Sequence, residues 1–374
     1  MEPSKVYFTD FHVPVGTSQL DKLRRLIERT VAGQIDFEGK LVCIKIHFGE
    51  PGNLTYLRPN YAKVVADYVK SQGGVPFLSD CNTLYVGRRK NALEHLDAAY
   101  ENGFSPFSTG CQIIIGDGLK GTDDIEVPVK GGEYVKTAKI GRAIMDADVF
   151  ISLSHFKGHE MAGFGGAIKN IGMGCGSRAG KMEQHNTGKP VVSLEKCRRC
   201  HICARHCGQD AISYGADGKA VINYDKCVGC GRCIGSCNFD AIDNPSWDTV
   251  QMLNRKMAEY AKAVVDGRPC FHINLVRDIS PNCDCHGEND VSILPDVGMF
   301  ASFDPVALDQ ACADACLAQQ PLPGSQLARR MAQADFVDHH DHFENTTEGS
   351  EWKSCLEHAE KIDLGTRKYE LITL

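Results

Sequence analysis

LVCIKIHF, residues 41–48, is an almost unbroken apolar run with only Lys45 and His47 interrupting it. An apolar run of this length, without strict alternation, suits a strand covered on both faces, the situation of a parallel sheet. Its neighbours support that reading. Upstream, Ser18 can cap a helix whose Leu20, Leu23, Leu26 and Ile27 share one face and which ends at Gly33. Downstream, Pro59 opens a second helix with Ala62, Val65 and Val69 inward, Gly73-Gly74 stop it, and VPFLSD is the next strand. The helix NALEHLDAAYENG, the strand CQIIIGDG and the strand DADVFISLSHF continue the rhythm. Such alternation predicts an α/β layer fold with a largely parallel sheet.

The rhythm breaks and then resumes with the helix WDTVQMLNRKMAEYAKAVVDG and the strand CFHINLVRDI. We therefore expect a discontinuous host, residues 1–187 and 246–374, with an insert over residues 188–245. Near the end of the host, Asp304 and Pro305 read as the cap and first residue of a helix. The run Asp338-His339-His340-Asp341-His342 reads as a solvated loop, because adjacent residues of an extended chain point to opposite sides.

The insert carries CRRCHICARHC, residues 197–207, and CVGCGRCIGSC, residues 227–237, with the flanks QDAISY and FDAIDN also repeating. CxxCxxCxxxC in duplicate is the spacing of a bacterial ferredoxin with two 4Fe-4S clusters, in which the fourth Cys of each run ligates the other cluster. On that rule Cys197, Cys200, Cys203 and Cys237 hold one cluster, and Cys227, Cys230, Cys233 and Cys207 the second. Zinc usually takes two separated CxxC pairs; zinc and disulfides remain the alternatives. Gly208 and Asn238 stand where a Pro usually follows the fourth Cys. Arg198, Arg199, His201, Arg205, His206, Lys226 and Arg232 crowd the ligands, either favouring a reduced cluster or forming a basic rim for an acidic redox partner.

At 374 residues the chain is too long for a ferredoxin alone. A net charge of −7 gives no reason to expect nucleic acid or a membrane surface as partner. The start MEPSKVYFTDF lacks a basic region followed by an apolar core, and no apolar run reaches spanning length, so a cytoplasmic protein is expected. Eighteen cysteines, eight of them in the two runs, suit a reducing, anaerobic cell.

The host's chemical tract is SHFKGHEMAGFGGAIKNIGMGCGSRAGKMEQH, residues 154–185, with eight glycines among three His and several basic residues. It follows a predicted strand, and strand ends are where α/β sheets bind ligands. Glycines let backbone N–H groups approach a ligand, and cations at the rim suit phosphate or carboxylate. The candidates are His159, Lys169 and His185 for catalysis, with Gly163, Gly165, Gly166, Arg178 and Lys181 for binding a small molecule whose identity no motif gives. Weaker signals at other strand ends are His47, Glu50 and Asn53; Asp80, Asn82, Thr83, Arg88 and Arg89; and Asp296 and Ser302. CDCHGEND, with Cys283, Cys285 and His286, reads as a loop because it does not supply four ligands, a third metal site being the alternative.

KIHFGEPGN, NTLYVGRRKNALEHL, the Gly-rich tract and LPDVGMFASFDPVALDQA together resemble the domain of unknown function 362 family in its ferredoxin-bearing form. That resemblance implies two iron–sulfur clusters and leaves the host's reaction unsettled. HEMAGFGGAIK is locally similar to the lactate racemase family, which serves a nickel pincer nucleotide. This similarity implies His159 as an acid–base group, Lys169 as the cofactor-attachment lysine and His185 as a metal ligand.

The expected function is an oxidoreductase relaying single electrons through the clusters to a ligand at the Gly-rich tract, with an unidentified redox protein as partner. A carrier or cofactor-maturation protein, and a racemase-like enzyme with structural clusters, are the alternatives.

Overall fold

The protein is described from a computed structural model over residues 2–84, 87–185, 189–207, 209–227, 232–237, 239, 241–243 and 249–374. Cys230, Gly208, Asn238 and the side chain of Arg232 lie outside the described residues.

Eight strands form the main sheet: β1 (Ser4–Thr9), β2 (Leu41–Lys45), β3 (Val75–Asp80), β4 (Gln112–Ile115), β5 (Val149–His155), β6 (Cys270–Val276), β7 (Gly298–Ser302) and β8 (Tyr369–Thr373). Their order is β8-β1-β7-β6-β5-β2-β3-β4. From β6 to β4 every pairing is parallel, whereas β7 runs antiparallel to both β6 and β1. The expected α/β layer fold with a largely parallel sheet is the fold observed.

Side-chain alternation along the central strands builds two cores. Val42, Ile44, Leu78, Val149, Ile151, Leu153, Ile273 and Leu275 face one side. There they meet Leu23, Leu26 and Ile27 of helix α1 (Gln19–Val31) and Ala62, Val65 and Val69 of helix α2 (Pro59–Ser71). Cys43, Phe77, Phe150 and Phe300 face the other side, under helices α3 (Ala167–Cys175), α4 (Arg178–His185), α5 (Val250–Val265), α6 (Pro305–Leu317) and α7 (Lys353–Lys361). The expected caps form: Ser18 makes a reciprocal box with Asp21, and Asp304 accepts from Val306 and Ala307 N–H.

The parallel strands deliver Lys45, Asp80 and His155 to one edge of the sheet, and the loop after β6 carries residues 277–286 to the same edge. Part of the Gly-rich tract is regular structure there. It forms a hairpin of Lys157–His159 with Gly163–Gly165 and then α3 and α4.

The cysteine-rich segment is a small body of short elements, with Val191–Val192 paired to Ile242–Asp243 and Ile212–Tyr214 paired to Ala220–Ile222. Its duplication is visible in hydrogen bonds: Ser193 N–H donates to Ala241 O and Asn223 N–H to Ala211 O, both at 2.7 Å. Leu84, just beyond β3, and Met182 of α4 enter its apolar cluster alongside Cys203, Ile222, Cys233 and Cys237. No described helix is long and apolar enough to cross a membrane. The 338–342 run is held by structure: Asp341 caps residues 342–346 and accepts from Trp352 Nε1 at 2.7 Å.

Candidate functional site

At the sheet edge lies a cavity of about 470 Å³. Its floor is a buried charge network. Lys45 Nζ pairs with Asp80 Oδ1 at 3.0 Å and donates to Asn170 Oδ1 at 2.8 Å. Arg89 Nε pairs with Glu50 Oε2 at 2.8 Å, and its Nη1 lies 2.9 Å from His47 Nε2 and 3.8 Å from Asp80 Oδ2. Burial works against the Asp80 carboxylate, but Lys45 and the neighbouring histidines hold its pKa below the usual range. Burial, reinforced by Arg89, pushes His47 down to about 3.

His159, Lys169 and His185 all line this cavity, as do Gly165, Gly166 and Lys181. Gly163 and Arg178 do not. A Cβ on Gly163 would meet Trp352, and Arg178 Nη1 donates to Lys90 O at 3.2 Å. His159 Nδ1 accepts from Met161 and Ala162 N–H at 3.1 and 3.0 Å, so a neutral His159 carries its proton on Nε2, which lies 3.6 Å from Glu160 Oε1. Burial lowers the pKa of His159, and pushes that of His185 down to about 3. The glycine pair lets neighbouring side chains approach the backbone closely. A Cβ on Gly165 would lie 2.6 Å from Lys157 Nζ, and one on Gly166 would collide with Asp309, which caps α3 by accepting from Ala167 and Ile168 N–H at 2.7 and 2.9 Å.

Lys157 and Lys169 both point their ammonium groups at Cys283 Sγ, at 3.6 and 3.3 Å. A hydrogen bond from Cys285, then the two ammonium groups and His159, acidify the Cys283 thiol against the effect of burial. That same hydrogen bond and burial raise the pKa of Cys285. For Lys169, burial is outweighed by Cys283, Cys285 and Glu160, and its pKa rises. The loop carrying these groups is pinned by His155, whose Nδ1 lies 2.9 Å from Asp284 Oδ2 and whose Nε2 donates to Arg277 O at 2.7 Å. Despite burial, His155 and Lys157 hold Asp284 at about 2.

Among the weaker sequence signals, His47, Asp80, Thr83 and Arg89 reach the cavity wall. Asp296 instead accepts from Asp278 N–H, and Ser302 Oγ donates to Lys5 O. The signal underweighted in sequence is CDCH: Cys283, Asp284, Cys285 and His286 all face the cavity, and Glu160 joins them from the hairpin turn.

Cys197, Cys200, Cys203 and Cys237 line a second, small cavity together with Arg198, Arg199 and His201. These four thiols stand outside any disulfide, and Ala241 N–H donates to Cys237 Sγ at 3.3 Å. In the other repeat Ala211 N–H donates to Cys207 Sγ at the same distance. Ile242 lines both cavities, and Ile234 and Asp243 also border the large one.

Among known proteins, a thylakoid-associated protein of Synechocystis sp. is 28% identical over 169 residues, covering 42% of this chain and 46% of that protein. The chain thus spans under half the length of this curated relative. The lactate racemase apoprotein from Thermoanaerobacterium thermosaccharolyticum superposes with a TM-score of 0.39 at 14% identity, over 74% of this chain and 51% of that one. A protein from Thermotoga maritima gives a TM-score of 0.39 at 12% identity, over 82% and 60%. The model of DUF362, a domain of unknown function, matches residues 42–314, and the chain belongs to that family.

Proposed function

We propose that the chain is an iron–sulfur oxidoreductase. Residues 188–245 form a ferredoxin-like insert that holds one 4Fe-4S cluster on Cys197, Cys200, Cys203 and Cys237 and another on Cys207, Cys227, Cys230 and Cys233. The large cavity receives the molecule that is reduced or oxidised. The observation that carries this reading is Ile242, which lines both the four-cysteine cavity and the cavity of His159, Lys169 and His185. A residue shared by the two linings makes the cavities neighbours, as a relay of single electrons between them needs.

The residues fit the group. Cys197, Cys200 and Cys203 of the first run line one small cavity with Cys237 of the second, which supports crossed ligation, and an N–H donor reaches Cys237 Sγ, an arrangement that tunes cluster potentials. When bound, the clusters supply single electrons. Lys157 and Lys169 offer fixed positive charge to a small anionic ligand bearing carboxylate or phosphate. The neutral imidazole of His159 can accept a proton from such a ligand and, once protonated, return it, while His185, held neutral by burial, can hydrogen-bond the ligand.

Anaerobically prepared protein is expected to contain about eight iron and eight sulfide per chain. Cys237→Ala should remove the paramagnetic signal of the cluster on the first run and Cys207→Ala that of the second. Zinc without sulfide would end the iron–sulfur reading, and the opposite variant pattern would mean uncrossed sites.

A further inference from the structure

The loop after β6 and the turn of the Lys157–His159/Gly163–Gly165 hairpin bring together a carboxylate, a thiol and an imidazole. Ligand atoms of Glu160, Cys285 and His286 all lie within 4.8 Å of one another. Glu160 Oε1 is 3.0 Å from His286 Nε2. A tetrahedral ion with bonds of about 2.0–2.3 Å keeps mixed O, N and S ligands about 3.3–3.6 Å apart, so small side-chain movements close the set. The ion pair between Glu160 and His286 leaves something over: Glu160 Oε2 is buried and has no hydrogen-bond partner among the described residues. A buried acceptor without a donor carries a desolvation cost that a cation would offset.

The backbone that presents these groups is fixed. Gly158 N–H donates to Ser280 O and Glu50 N–H to Asp284 O, both at 2.9 Å, and Asn53 Nδ2 donates to His286 O at 3.0 Å. Such anchoring is the outer support that metal ligands usually have. Cys283 stands beside Cys285, hydrogen-bonded to it and facing Lys157 and Lys169. All three ligands line the large cavity, so the remaining coordination position opens toward a bound molecule rather than into protein.

We propose that Glu160, Cys285 and His286 form a third metal site, for one divalent first-row transition ion of the zinc, iron or nickel class, with an open position facing the cavity. Thiolate and imidazole donors select such ions over magnesium and calcium. Three protein ligands with an open position is the pattern of a catalytic rather than a structural site. The site shares the cavity of the proposed redox reaction but does not require the clusters.

The test uses the anaerobically prepared full chain with its iron intact, titrated with Co2+, whose thiolate charge-transfer absorption reports sulfur ligation. Wild type should bind about one Co2+ per chain beyond the iron with that band present. Zn2+ should displace it. Cys285→Ser should remove the band, and Glu160→Gln and His286→Gln should each weaken Co2+ binding by about tenfold or more, with cluster spectra unchanged in all three. Glu160→Gln keeps the side chain's shape and guards against a folding artefact. A band that survives Cys285→Ser, or Co2+ affinity unchanged in the other two variants, overturns the site. Protein without sulfide that still binds Co2+ through Cys285 would instead overturn the cluster reading and leave this site standing.

Discussion

His272 lies in the middle of β6, fully buried, with Nδ1 2.9 Å from Ser152 Oγ of β5, the residue registered opposite it. Burial alone pushes its pKa down from 6.5 to about 3. The folded protein therefore keeps this ring neutral at pH values where the unfolded chain takes up a proton, and stability present above pH 6.5 is lost as pH falls toward 3. One such group costs about 1.4 kcal/mol per pH unit. His272→Gln keeps a polar partner for Ser152 without titrating. Its denaturant midpoints should therefore fall less steeply than wild type between pH 6 and pH 4, and parallel curves would refute the assignment. The same scale shows where sequence reading stops. His159, Lys169 and His185 share the cavity lining as the glycine-rich basic tract suggests, although that tract also sends Phe164, Ala167, Ile168 and Ile171 into the core. Glu160, by contrast, joins Cys285 and His286 across 125 residues, and no local spacing announces it.

Helix α3 has no side-chain cap of its own, since its first position follows Gly166. Asp309, more than 140 residues away on α6, accepts from its first two N–H groups and also from Asn274 Nδ2 at 2.7 Å. Burial raises the Asp309 pKa to about 6, which measures how strongly the site disfavours an uncompensated charge. Asp309→Ala would strand two buried N–H groups and an amide, a loss of roughly 2–4 kcal/mol, while Asp309→Asn should cost clearly less. Because α3 carries Lys169, the alanine variant should also weaken binding of an anionic ligand; equal melting temperatures for the two variants would contradict this role. Strands and local caps such as Ser18 were legible because their signals are contiguous. The capping of α3 was not, because its partner comes from another helix. The glycine pair reads in sequence as a binding element, and it also lets Lys157 Nζ and Asp309 approach the backbone closely, which no local pattern predicts. Where LVCIKIHF predicts eight strand residues, regular strand β2 ends at Lys45 with Ile46 N–H still donating to Ser79 O at 3.1 Å, and His47 lies against Arg89 in the cavity floor.

Among the described residues, Leu84 and Met182 of the host enter the apolar cluster of the cysteine-rich segment, and this interface decides whether the molecule unfolds as one unit. The segment's core is small and draws Leu84 and Met182 from the host, both almost fully buried. The host's own cores, on the two faces of the sheet, contain none of the segment's residues. Small bodies of this kind depend on what they bind and dock against, because too little apolar surface is buried within them. Met182→Ala removes a buried side chain from that interface, a change worth roughly 2–5 kcal/mol at a core position. If the segment is a separate folding unit, the cost should fall on it alone. Amide hydrogen exchange should then quicken over residues 191–243 and the iron of the proposed clusters should become more labile to oxygen, while protection along β5, β6 and β7 stays as in wild type. Uniform loss of protection through the main sheet would mean that segment and host share one cooperative transition, and the 188–245 boundary would then mark a change of composition rather than a domain.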